Sequence, residues 1–179
     1  MLLTSDFYNV CSRHAQEGLN EIQALGHEIG LHFDEMAYPD LVGKPEEDKA
    51  KIVKEAELLG DILGVPVKAV SYHRPSKEIL AAQLDIPGLV NSYGSMFFHG
   101  FKYLSDSRRR WREPALDIIR SRKEPRLHIL THAFWYHEQE LDIHDTVASF
   151  INAGNLHRYV AMAENITDLD SIMERSEVR

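Results

Sequence analysis

The segment Gly26-His27-Glu28-Ile29-Gly30-Leu31-His32-Phe33-Asp34 sets an imidazole and a carboxylate two residues apart. Ile29, Leu31 and Phe33 alternate with Gly30, His32 and Asp34, the period of a strand, so His32 and Asp34 share one face and the apolar residues the other. An imidazole and a carboxylate aimed into one space suit a divalent metal or a proton-transfer pair. The plain alternative is a structural His–Asp hydrogen bond. Tyr72-His73-Arg74-Pro75-Ser76 is the next candidate. Pro75 holds Arg74 extended, and its guanidinium could grip a carboxylate bidentately or meet substrate, with Tyr72 and His73 as neighbouring substrate contacts. Leu130-Thr131-His132 closes an apolar run with an imidazole whose ordinary pKa suits a general acid.

Ser105 to Arg112 mixes one acid, Asp106, with Arg108, Arg109, Arg110 and Arg112. Asp106 could orient a catalytic group. The arginines, Arg108 among them, could meet an anionic substrate such as a nucleotide sugar or an acidic glycan. Phe134, Trp135 and Tyr136 could stack on a sugar ring, with Trp135 the substrate contact. Beside these stand plainer readings: a surface arginine in a turn, a histidine satisfied by a carbonyl, a solvated charge run, core aromatics. The histidines at 14, 99, 128, 137, 144 and 157 show no ligand spacing.

The elements that must position these residues follow from the pattern. Residues 2–4 read as a short strand and 15–25 as a helix closed by Gly26. Residues 46–63 read as a helix opened by Pro45, closed by Gly64 and striped by Ile52, Val53, Ala56, Leu59 and Leu63. Strands are expected at 67–71, 89–93, 101–104 and 127–131, and helices at 77–83, 113–120 and 143–165, the last broken near Gly154-Asn155. Alternating strands and helices imply an α/β fold with a mostly parallel sheet or barrel. Asp6, His32, Asp34, His73, Arg74, Asp106 and His132 all fall at strand ends, where such folds place their sites.

Composition excludes some classes. The 179 residues suffice for one domain with a core, and the net charge of −8 argues against a nucleic-acid binder, which needs cations to neutralise phosphates. Cys11 is the only cysteine, so no intrachain disulfide forms. No apolar run reaches the length of a membrane span and no secretory leader pattern opens the chain, so a cytoplasmic location is expected.

GHEIGLHFD, HRP and LTH, in that order over roughly residues 1 to 140, resemble the polysaccharide deacetylase superfamily of the carbohydrate esterase family 4 type. With SDFYN and a Ser-Asp-Ser segment, they look most like a divergent branch associated with surface-polysaccharide (lipopolysaccharide O-antigen or capsule) biosynthesis. The resemblance implies a distorted or incomplete (β/α) barrel, one domain over residues 1–179, and one divalent metal. Zinc is usual in the family; manganese, iron or cobalt suits the same donors. The metal would polarise an N-acetyl carbonyl and activate water. A carboxylate would act as base and a histidine would protonate the leaving amine. By position, His32 matches a metal ligand, Arg74 the group that orients the base, His132 the general acid, and Asp106 the acid that tunes it.

Two departures stand out. Met36 occupies the place of the family's second histidine ligand, and Asp34 would substitute. The family's Asp-bearing first strand has no counterpart here; Asp6 would partly fill that gap. An opened barrel would expose an edge beside residues 2–4, to be covered by a rearranged segment or by a second copy in a homo-oligomer. The expected function is hydrolytic removal of an N-acetyl group from a sugar or glycan precursor. The alternative is an inactive barrel that binds a carbohydrate or nucleotide sugar.

Overall fold

The computed structural model describes residues 1–178. The chain is a mixed α/β protein with parallel strands in small sheets, and among the described residues no sheet closes into a barrel. It forms two compact units, one of residues 1–103 and 124–128, the other of 104–123 and 129 onward.

In the first unit, β1 (Leu31–Phe33), β2 (Ala69–Tyr72) and β3 (Val90–Asn91) form a parallel sheet in that order. Leu31 pairs with Val70, His32 with Ser71 and Phe33 with Tyr72. Alternation does what it must: Leu31, Phe33, Val70 and Tyr72 are buried, while His32 and Ser71 share the other face. Gly30 suits the close entry to β1, because a Cβ there would lie a tight 3.0 Å from the Ala69 carbonyl oxygen.

Helix α1 (Arg13–Ala24) is capped by Ser12, whose hydroxyl accepts from the Ala15 amide, and Gly26 follows it at φ +83°. Helix α2 (Pro45–Leu63) starts on its proline and stops at Gly64 in the left-handed region. It lays Ile52, Ala56 and Leu59 into the core with Leu31, Phe33, Val70 and Ile79. The last of these belongs to α3 (Lys77–Ala82), capped by Ser76. Residues 2–4 make a turn instead of the expected strand. Only Met1 reaches the sheet edge, its carbonyl accepting from the His32 amide at 2.7 Å. Helix α4 (Ser95–Gly100) follows β3.

Strands β4 (Lys102–Ser105) and β5 (Leu127–Leu130) form a second sheet. Lys102 donates to the Arg126 carbonyl and Asp106 to that of Leu130, the same sequence offset at both ends, which marks a parallel pair. The boundary between units falls within both strands. The second unit continues with α5 (Ala115–Ser121), α6 (Ile143–Ala163) and α7 (Leu169–Ile172). Helix α6 runs unbroken through Gly154 and Asn155. A mid-helix glycine costs only about 1 kcal/mol, too little to break 21 hydrogen-bonded residues. No helix among the described residues is long and apolar enough to cross a membrane.

Candidate functional site

Each unit holds one carboxylate just past the end of a strand, and the two are wired differently. In the first unit the strand ends at Phe33 because Asp34 leaves it to cap a single 3-10 turn (Glu35–Ala37), accepting from the Met36 amide at 3.3 Å. Its carboxylate is 3% exposed and takes a bidentate pair from Arg74, Nε to Oδ1 at 3.0 Å and Nη2 to Oδ2 at 2.5 Å. Burial raises the Asp34 pKa, but the hydrogen bonds and charge of Arg74, helped by His73, outweigh it and hold the carboxyl below its usual range. His32 turns its Nδ1 to the Ser71 hydroxyl at 2.7 Å, as the register dictates, and its ring meets the edge of His73 at 5.2 Å.

Three further acids lie behind this pair. Glu35, 1% exposed, accepts from the amides of Gly43 at 2.8 Å and Ser76 at 2.5 Å. Glu55 accepts from the Tyr38 hydroxyl. Asp48 is fully buried and neither of its oxygens has a hydrogen-bond partner among the described residues. Burial first, then the charges of Glu35 and Glu47, push its pKa up to about 6. None of these acids stands in a motif of the sequence, although Asp48 and Glu55 fall on the same α2 stripe as Ile52 and Leu59. An acid at a core position of an amphipathic helix was the available signal.

His32 and Asp34 supply two donors to a metal at most. Both Asp34 oxygens are engaged by Arg74 and the Met36 amide, and no third His, Cys, Asp or Glu closes with them to ligand distances among the described residues. This donor set does not fit a closed metal centre. Among the described residues the one grouping that does close is Asp142, His144 and Asp145, exposed at the start of α6. There Asp142 caps the helix through the Asp145 amide at 2.7 Å, and His144 Nδ1 meets Asp145 Oδ1 at 3.0 Å. Capping accounts for that arrangement.

In the second unit, Asp106 is 3% exposed at the end of β4. Its Oδ1 lies 2.6 Å from His132 Nδ1. Its Oδ2 accepts from the His132 amide and from the Tyr136 hydroxyl, each at 3.1 Å. Burial raises the Asp106 pKa, but the His132 and Tyr136 hydrogen bonds more than offset it, so the group stays ionised. The His132 ring is 42% exposed, so the imidazole is anchored at one nitrogen and reachable from solvent. Asp106 therefore fixes the tautomer with the proton on Nδ1 and the lone pair on Nε2, the arrangement proton transfer requires.

The remaining candidates divide. Tyr72 is a core residue, 2% exposed, its hydroxyl accepting from Asn91 and its ring against Phe33 and Tyr93. It sits on the buried face of β2 because it is two residues from Val70. His73 is exposed one residue beyond the strand. Trp135 is half-buried, edge-on to Phe134 at 4.8 Å. Arg108 is exposed, with φ at +59°. Tyr136, the third aromatic of its run, bonds Asp106 directly.

No protein family, curated protein or solved structure matches this chain.

Proposed function

We propose that this chain is a hydrolase that removes an acetyl group from the nitrogen of a sugar or glycan precursor, on an open, incomplete version of the deacetylase-type (β/α) scaffold. The observation that carries the reading is the ionised, buried Asp106 holding His132 by Nδ1 with the ring open to solvent. A buried carboxylate holding one ring nitrogen while the rest of the ring is open to solvent is the wiring that general acid–base histidines use. Here Nε2 takes a proton from water as the water adds to the amide carbonyl. The same nitrogen then returns that proton to the departing amine as the C–N bond breaks, leaving acetate and a free amino sugar. Asp106 stabilises the imidazolium in between.

Divalent metal, zinc first, belongs to this reading through the resemblance. When bound it would supply a Lewis acid for the amide carbonyl. A metal at His32 and Asp34 would require Asp34 to release Arg74. The test is acetate release from N-acetylglucosamine, its 1-phosphate and its nucleoside diphosphate conjugate, with metal content measured on the same protein. Release from at least one supports the reading; none from any, in metal-supplemented protein, ends it. A binding protein without catalysis is the second reading, favoured by the cavity described next.

A further inference from the structure

A cavity of about 730 Å³ opens in the second unit between the loop after Asp106, α5 and Tyr136. That volume lies within the range of small-molecule sites. Trp111 and Tyr136 line it, and both are exposed, so two aromatic faces are available to a ligand. Arg112, Arg120, Glu113 and Asp117 line it too. Aromatic faces suit the C–H faces of a sugar ring, and carboxylates and guanidiniums suit its hydroxyls. Tyr136 ties one wall to the carboxylate that holds His132, through its 3.1 Å bond to Asp106.

The cavity's own charges balance, Arg112 and Arg120 against Glu113 and Asp117, and the excess of cations lies in the segment around it. Residues 104–123 carry seven cationic side chains against three acids, in a chain whose net charge is −8. The backbone keeps arginines where glycine would sit more easily. Arg108 and Arg109 have φ of +59° and +56°, in the left-handed region. The turn is braced by Ser105 and Ser107, with hydroxyls 2.7 Å apart and the Ser107 amide donating to the Ser105 hydroxyl at 3.1 Å. Within the cavity Arg112 and Arg120 are the cations that can fork onto phosphate oxygens.

We infer that this cavity binds a phosphorylated sugar, its ring against Trp111 and Tyr136 and its phosphate on Arg112 and Arg120. The inference rests on the proposed hydrolase reading only for the N-acetyl group on that sugar. The shared chemistry, a sugar ring plus phosphate, comes free as a sugar phosphate or carried on a nucleoside diphosphate.

Calorimetric titration of His132→Ala protein, which leaves ligand unconsumed, tests it with four probes. These are UDP-N-acetylglucosamine, N-acetylglucosamine 1-phosphate, N-acetylglucosamine and UDP. The expected result is saturable binding of at least one phosphorylated sugar, with unphosphorylated sugar weaker by about tenfold or more. Arg112→Gln and Arg120→Gln should each weaken binding by about tenfold with unchanged melting, since both side chains are exposed. Preference between the two phosphorylated sugars identifies the carrier. No saturable binding of either, binding that both arginine variants leave intact, or UDP alone as tight as its sugar conjugate overturns the inference. Retained binding in a protein that releases no acetate removes the hydrolase reading alone. Acetate release without such binding removes the cavity alone.

Discussion

Asp34 and Asp106 occupy equivalent places in their own units. Each follows a strand, each is 3% exposed, and each is held below its usual pKa by a cationic or imidazole partner. The partner makes the difference. Arg74 cannot give up its proton, so Asp34 is half of a fixed charge pair. Asp106 instead meets an imidazole, the side chain that, under the proposed function, would move protons. Asp48 is the third case, a buried carboxylate with no hydrogen-bond partner among the described residues and a raised pKa. One residue type in three wirings separates structure, chemistry and cost.

The sharpest way to break this comparison is Asp106→Asn. The amide keeps the shape but cannot stabilise imidazolium and can favour the other tautomer of His132. We expect a fall in kcat for acetate release of about 10² to 10⁴, with the melting temperature little moved. A loss of less than about threefold would make Asp106 structural like Asp34.

Arg74→Ala should act on stability and on its pH dependence. The lowered Asp34 pKa means the pair contributes stability above the ordinary carboxylate range and loses it as pH falls through the folded value. Without Arg74, only His73 and the Met36 amide oppose burial and the Asp34 pKa rises, so the variant should be weaker than wild type at pH 7 and converge with it in acid. Melting curves from pH 3 to 8 check this; a constant offset across that range would contradict it.

Asp48→Asn should go the other way. A folded pKa of about 6, above the unfolded value, means stability is fully present below about pH 4 and is lost as pH rises through 6. Removing the charge should stabilise the chain at pH 7 by about 1–3 kcal/mol and change little in acid, measured by denaturant unfolding. Destabilisation at pH 7 would show that Asp48 has a partner of its own.

Tyr136→Phe is the mildest change. Asp106 loses one of its three contacts, and we expect acetate release slower by about two- to tenfold, with the Asp106–His132 bond intact.

Much of this was legible in the sequence. Pro45 and Gly64 bracket α2 as read, and Arg74, Asp106 and His132 do stand just past strand ends, whereas His32 is the middle residue of β1. Local rules reach that far because caps, turns and alternation act over a few residues. What they could not show was pairing across the chain. Strict alternation put Asp34 beside His32, but its own capping tendency ended the strand and turned it to a residue 40 positions away. Tyr72 looked available beside Arg74, yet its parity on β2 buried it. The tie between Asp106 and His132, 26 residues apart, appears only when β4 and β5 pair.

The most direct single measurement is acetate release by wild type and His132→Ala, assayed side by side on the same N-acetyl sugar. The account predicts steady release by wild type and a drop of about 10² or more in the variant, with both proteins equally folded. Equal rates in the two would contradict it, placing the chemistry, wherever it lies, away from His132.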